Sequence, residues 1–135
     1  MTIVDTTIWV DYLRGVRSPH TDRLDFEAGR QALGLTDLIL FEILQGLTDE
    51  SSLARVRLVL APFPVYDTGG SAMAIAAARN YIALRAQGYT VRKTVDCLVA
   101  TFCIRNGYSL LHHDRDYDPF ERFLGLSVIH PDGKE

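Results

Sequence analysis

Four carboxylates stand in segments of the chain where a charged side chain is otherwise unexpected. They lie within or at the ends of runs rich in Val, Ile, Leu and Phe, and are Asp5, Glu42, Asp96 and Asp114. Two like charges 4 Å apart repel by about 4 kcal/mol at an effective dielectric constant of ~20. If the fold brings these acids together, they need a proton or a cation. An oxygen-rich site of this kind suits Mg²⁺ or Mn²⁺ and therefore favours phosphate chemistry.

Short apolar runs and helical patterns predict the elements that position these acids. Asp5 directly follows a strand at residues 3–4, and Asp114 comes shortly after a strand at residues 108–111. Asp96 stands at the start of a helix that is apolar nearly all round. Glu42 lies six residues beyond Thr36, about 9 Å along a second such helix. Both helices are predicted to be buried because each is apolar on nearly every side.

Strands that alternate with helices predict an α/β fold with a mostly parallel sheet covered on both faces. The functional groups of such sheets gather at the carboxyl ends of the strands. We therefore expect Asp5, Asp96 and Asp114 to share one edge of the sheet. Glu42 reaches that edge only if its helix leans over it.

Length and composition predict one domain over residues 1–130, followed by a short mobile tail at 131–135. The chain shows no basic n-region and no apolar run long enough to span a bilayer, so we expect a soluble, cytoplasmic protein. Cys97 and Cys103 lie in an apolar run and are predicted to be buried free thiols in a reducing cytosol.

The net charge of −3 gives no global sign of a nucleic-acid-binding protein. A polyanionic partner must therefore meet a local basic patch. No acid occurs between Asp67 and Asp96, and Arg92 and Lys93 stand just before Asp96. These two cations are the better candidates for contacts to a phosphate backbone, whereas Arg79 and the other basic residues of this stretch suit ordinary solvated positions.

Each acid also has an ordinary structural interpretation. Asp5 can cap a helix, and Asp96 can be a favourable charge in the first turn of one. Glu42 can form an ion pair with an arginine, and Asp114 and Asp116 can be solvated turn residues. The combination of the acids, and no single one of them, favours a metal site. His112 and His113 could bind zinc, but two facts argue against it. Adjacent strand positions point to opposite faces, and no His-x₃-His pair is present.

The ordered acids resemble those of a known family, the PIN-domain ribonucleases, and in particular the toxins of VapBC-type toxin–antitoxin pairs. The resemblance covers nearly the whole chain and rests on four motifs in order. These are Asp5-Thr6-Thr7, Glu42-Ile-Leu-Gln-Gly46, Asp96-Cys-Leu-Val-Ala100 and His112-His113-Asp114-Arg115-Asp116-Tyr117. His112 departs from the family pattern, which usually has Thr or another small polar residue there.

The resemblance implies an α/β/α sandwich and a Mg²⁺ ion, with Mn²⁺ as a substitute, held by Asp5, Glu42, Asp96 and Asp114. Asp116 would complete a second metal position or orient the attacking water. Thr7 would bind a metal water, or only cap its helix. The implied activity is hydrolysis of single-stranded or looped RNA, of the tRNA or rRNA class, leaving a 5′ phosphate. The implied partners are a small antitoxin protein and a second copy of the chain.

Two other interpretations assign the chain to a different functional class, a phosphatase or a protein that only binds. Phosphatases of the haloacid-dehalogenase type also place an Asp after their first strand, but they require D-x-D, and position 7 is Thr. A PIN-like fold that only binds RNA or an antitoxin would make the acids structural. The presence of all four acids argues against that, because an unused cluster of carboxylates lowers stability.

Overall fold

The computed structural model describes residues 1–30 and 32–131. The tail predicted at 131–135 lies outside the described residues except for Pro131. The strands are β1 (Thr2–Val4), β2 (Leu33–Thr36), β3 (Val65–Tyr66), β4 (Ser109–Leu111) and β5 (Ser127–Ile129). The helices are α1 (Thr6–Leu13), α2 (Pro19–Glu27), α3 (Asp37–Gln45), α4 (Glu50–Leu60), α5 (Gly70–Ala86), α6 (Thr94–Asn106) and α7 (Asp118–Leu124). A 3₁₀ turn, Arg115–Tyr117, precedes α7.

The five strands form one sheet in the order β3-β2-β1-β4-β5, and every neighbouring pair is parallel. In the register of the sheet, Ile3 of β1 pairs with Gly34 on one side and with Leu110 on the other. Right-handed crossovers place α1–α4 on one face and α5–α7 on the opposite face, because the two sets of connections run in opposite directions across the sheet. The predicted α/β/α sandwich with a parallel sheet is confirmed.

The order of the strands reverses at β1, since the chain moves from β1 to β2 on one side and later returns to β4 on the other. Such a switch point opens a crevice at the carboxyl ends of the two strands. Asp5 follows β1 at this point, and its backbone N–H donates to the carbonyl oxygen of Leu111, the last residue of β4, at 3.0 Å. The topology therefore brings the residue after β1 against the end of β4.

The two apolar helices differ in burial. In α6, all but one of the residues from Asp96 to Cys103 are buried, as predicted, and both cysteines are buried free thiols, also as predicted. The prediction that α3 is buried all round is wrong. Only Ile39 and Ile43 of α3 are buried, and Phe41 is 63% exposed. α3 lies in an outer layer with one covered face, and an apolar sequence does not reveal how many neighbours a helix has.

The core of the sheet lies directly beneath the crevice. Ile3, Val4, Leu110 and Leu111 are fully buried, and they hold the ends of β1 and β4 in place. Gly107, with φ of +67°, ends α6 and turns the chain into β4. In the described part of the chain, no helix has the length and apolar character needed to cross a bilayer.

Candidate metal centre

Asp5 occupies the N-cap position of α1, but its side chain makes no capping hydrogen bond. The carboxylate is only 5% exposed, and its Oδ1 accepts a hydrogen bond from the Tyr117 hydroxyl at 2.8 Å. Helix capping therefore does not account for this acid. The position of Asp5 at the end of β1 directs its carboxylate toward Tyr117, in the segment that follows β4.

Asp96 lies in the first turn of α6 and is 6% exposed. Its Oδ1 accepts from the same Tyr117 hydroxyl at 3.1 Å. Its Oδ2 is buried and has no hydrogen-bond partner among the described residues. A buried carboxylate oxygen without a partner is costly, and buried polar atoms in folded proteins are nearly always satisfied. The geometry thus leaves one oxygen of Asp96 available for a ligand.

The two buried acids influence each other's ionisation. Burial, and then the neighbouring charge of Asp5, raise the pKa of Asp96 to about 6 against the opposing influence of Tyr117 and Lys93. Burial also raises the pKa of Asp5, which the Tyr117 hydrogen bond opposes and the charges of Glu42 and Asp114 reinforce. All four acids predicted from the sequence therefore belong to one electrostatic cluster, and a cation among them would favour their charged forms.

Asp114 and Asp116 complete a group with Asp96. One ligand oxygen from each of these three residues lies within 4.8 Å of the others. The 3₁₀ turn fixes the pair, because Asp114 Oδ1 accepts from the Asp116 N–H at 2.9 Å. Lys93 Nζ approaches Asp114 Oδ2 at 3.8 Å. The sequence placed Asp114 and Asp116 in a loop, and the turn gives them a defined spacing.

Glu42 reaches the edge of the sheet although it lies well inside α3. Its Oε1 accepts from the Thr6 hydroxyl at 2.6 Å, and Thr6 directly follows Asp5. Among the residues that the structure describes, Glu42 forms no ion pair with an arginine. Glu42 does not belong to the group of three close oxygens, so it flanks that group on the Asp5 side.

Two site residues were not singled out from the sequence, Thr6 and Tyr117. Thr7, which was singled out, is exposed, whereas Thr6 contacts Glu42. Tyr117 is fully buried, and burial together with Asp5 and Asp96 raises its pKa well above the ordinary value. The only sequence signal for Tyr117 was its place at the end of the fourth motif, where an aromatic residue also fits a simple core position.

His112 is buried and contacts both Asp114 and Tyr117. Burial lowers its pKa to about 4, so the imidazole is neutral at pH 7. Its Nδ1 accepts from the Asp114 N–H at 3.0 Å, and its ring lies 4.7 Å from the Tyr117 ring. His113 is exposed and lies 3.5 Å from Asp11. Within the described residues, no histidine belongs to a group of three potential ligands that close on one point, so the acids and not the histidines offer a metal position.

The two predicted RNA contacts, Arg92 and Lys93, are both exposed beside the acids. Arg92 lines a cleft of about 940 Å³ that also borders Asp116, Arg115 and Arg122. Lys93 lies beside Asp114, as described above. The cleft therefore has basic side chains and borders one of the three acids, Asp116, while Lys93 lies beside a second, Asp114.

The ligand atoms fit a hard divalent cation. They are all carboxylate oxygens, and Asp96 among them has one buried oxygen, Oδ2, without a partner in the described chain. Mg²⁺ and Mn²⁺ prefer oxygen ligands and are commonly held by a few carboxylates with water in the remaining positions. Asp96, Asp114 and Asp116 would hold such an ion, with Asp5 and Glu42 beside it.

Comparison with known proteins identifies the family. The family model described as PIN domain matches residues 2–123. Ribonuclease VapC11 of Mycobacterium tuberculosis is 32% identical over 132 residues, which cover 95% of this chain and 97% of that protein. VapC ribonuclease Mb1587 of Mycobacterium bovis matches with the same identity and coverage.

Solved structures share the fold. VapBC2 from Rickettsia felis, bound to a DNA fragment from its promoter, matches with a TM-score of 0.76 and 15% identity over 95% of this chain and 96% of that one. A toxin–antitoxin complex from Klebsiella pneumoniae matches with a TM-score of 0.66 and 17% identity over 97% and 98%. The family match and the sequence relatives show that the chain belongs to the PIN-domain family and, within it, to the VapC ribonucleases.

Proposed function

We propose that this protein is a Mg²⁺-dependent endoribonuclease, with Mn²⁺ as a possible substitute, that hydrolyses phosphodiester bonds in RNA. The observation that carries the proposal is Asp96, whose buried Oδ2 has no partner in the described chain and which forms a group of close carboxylates with Asp114 and Asp116. The sequence relatives are named as ribonucleases, which supports RNA as the substrate.

The acids of the site and Thr6 would have different roles in catalysis. Asp96, Asp114 and Asp116 would hold the cation, and the charges of Asp5 and Glu42 would add to the negative potential that attracts it. When bound there, a divalent ion would supply a water of lowered pKa and a positive charge for the phosphate. The Thr6 hydroxyl keeps Glu42 over the crevice, so that the acids face the substrate from both sides of the switch point.

The cleft beside Asp116 suits the RNA backbone. Arg92, Arg115 and Arg122 present positive charge along it, although the chain as a whole has a net charge of −3. Local neutralisation of phosphates is the main source of affinity for nucleic acids. Arg92 and Lys93 would guide the backbone toward the acids. A tRNA or rRNA loop is the proposed substrate class, because an unpaired strand can bend into such a cleft.

We also propose that the protein is the toxin of a toxin–antitoxin pair and acts in the cytoplasm. The similar structures, VapBC2 from Rickettsia felis and a toxin–antitoxin complex from Klebsiella pneumoniae, support this. Phe41 of α3 and Leu58 of α4 are large exposed apolar side chains on the α1–α4 side, where an antitoxin segment would bind. Ile75 and Ile82, two turns apart on α5, are the proposed contacts of a homodimer.

The test is cleavage of tRNA and rRNA by the purified protein with Mg²⁺ or Mn²⁺, compared with EDTA. The chelator should abolish cleavage, and Asp96→Asn should reduce it by about 10³-fold or more, because a bound metal contributes several kcal/mol to the transition state. Asp22→Asn, which changes an exposed acid paired with Arg17, is the matched control and should cleave normally. Equal cleavage by Asp96→Asn, or none by the wild type on any structured RNA, would refute the proposal.

A further inference from the structure

We propose that Tyr117 is a positioning residue for the metal: its hydroxyl fixes Asp5 and Asp96 so that one defined oxygen of Asp96 faces the ion. The inference rests on the proposed metal-dependent function, and it assigns a role to a side chain that ends the fourth motif but is not one of its acids. Tyr117 itself would not touch the ion or the RNA, because it is fully buried behind the two carboxylates.

The position of the phenol ring is strongly constrained. Tyr117 ends the 3₁₀ turn that also carries Asp116, so its backbone is tied to the outer acids. The His112 ring packs against it at 4.7 Å, and His112 also accepts the backbone N–H of Asp114. A rigid ring with a fixed backbone can hold its hydroxyl at one point between two other elements.

The hydroxyl reaches two acids that are far apart in the sequence. It lies 2.8 Å from Oδ1 of Asp5, at the end of β1, and 3.1 Å from Oδ1 of Asp96, at the start of α6. Each contact occupies one oxygen of its carboxylate. Hydrogen bonding of one oxygen fixes the rotation of a carboxylate about its last side-chain bond, and the other oxygen then has a defined direction.

The second oxygen of Asp96 shows the consequence. With Oδ1 held by the phenol, Oδ2 is buried and unpartnered, and Asp96 is one of the three acids whose ligand oxygens lie within 4.8 Å of one another. The phenol has a single proton, which the Oδ1 atoms of Asp5 and Asp96 share, and Oδ2 of Asp96 receives none. The hydroxyl therefore orders the acid pair without removing its need for a cation.

A purely structural hydrogen bond would have a different signature. If Tyr117 only stabilised the fold, its loss would lower the free energy of unfolding to the same extent with and without Mn²⁺. If it positions the metal ligands, its loss weakens Mn²⁺ binding by the folded protein. Residues that orient metal ligands typically change metal affinity by about 10- to 100-fold when they are altered.

The test is the dissociation constant for Mn²⁺, measured by calorimetry on the full chain without RNA. Tyr117→Phe keeps the buried ring and removes only the hydroxyl, and we expect about 10- to 100-fold weaker binding. Tyr66→Phe is the matched control, since Tyr66 is partly buried and packs against Phe102 of α6 away from the acids. Tyr66→Phe should bind Mn²⁺ like the wild type. Equal affinity of Tyr117→Phe and the wild type would overturn the inference.

A second replacement covers the case in which Tyr117→Phe does not fold. Site-specific 4-fluorophenylalanine at position 117 fills most of the space of the hydroxyl but donates no hydrogen bond, so it should weaken Mn²⁺ binding by about 10- to 100-fold, as Tyr117→Phe does. Unchanged affinity would overturn the inference. A wild type that binds no Mn²⁺ would overturn the proposed function as well, whereas equal binding by wild type and variants overturns the inference alone.

Discussion

Helices α3 and α6 have similar apolar sequences, and each carries one acid of the candidate metal centre, yet they differ in burial. α6 is enclosed, with buried residues along its length from Asp96 to Cys103. α3 buries only Ile39 and Ile43 and leaves Phe41 largely in solvent. The comparison shows that an apolar helix can be either a buried part of the core or an exposed surface available to a partner.

The two acids differ in the same way as their helices. Asp96 is buried, and that burial raises its pKa to about 6. Glu42 is half-buried and is held by one hydrogen bond, from Thr6. Asp96 also belongs to the group of three close ligand oxygens, and Glu42 does not. We infer that Asp96 is the central ligand, whereas Glu42 contributes charge from a helix that faces outward.

The largest expected difference is in RNA cleavage. Asp96→Asn removes the central ligand and should lower kcat/KM by about 10³-fold or more. Glu42→Gln keeps the shape of a flanking residue and should lower it by about 10- to 100-fold. Steady-state cleavage of one RNA gives kcat/KM for the wild type and for both variants, and so the two losses. Equal losses would show that the two acids act as equals and would break the comparison.

The next difference is in stability. Phe102 of α6 is 5% exposed, and Phe102→Ala should lower the free energy of unfolding by about 3–5 kcal/mol through lost burial and a residual cavity. Phe41→Ala in α3 removes an exposed ring and should change it by less than about 0.5 kcal/mol. Urea denaturation of the isolated protein gives both values. A loss of stability for Phe41→Ala as large as that for Phe102→Ala would mean that α3 is covered in solution.

A smaller effect concerns pH. Because the pKa of Asp96 is raised from 3.8 to about 6 in the folded protein, the folded state binds this proton more tightly than the unfolded chain does. The resulting stabilisation is complete below pH 3.8 and is lost as the pH rises through about 6. In EDTA, the stability of the wild type relative to Asp96→Asn should therefore fall on the order of 1 kcal/mol between about pH 5 and about pH 8. A constant difference would contradict the raised pKa.

The sequence indicated most of the fold because the relevant signals are local. Asp5 after a strand and Asp96 at a helix start are fixed by short patterns, and parallel strands then require a common edge. Tyr117 was missed because its contact with Asp5 spans 112 positions and an aromatic residue ordinarily signals only a core. The exposure of Phe41 was missed because the number of neighbours around a helix depends on the assembled layers. Thr6 was missed because only the packing of α3 against α1 decides which of two adjacent threonines meets Glu42.

The central claim is that the acids hold a divalent cation, and anomalous diffraction from crystals grown in excess Mn²⁺ tests it most directly. The account predicts one strong anomalous peak in contact with an oxygen from each of Asp96, Asp114 and Asp116, with Tyr117 still bonded to Oδ1 of Asp96. No peak at this position, or a peak held by the histidines beside it instead, would contradict the account.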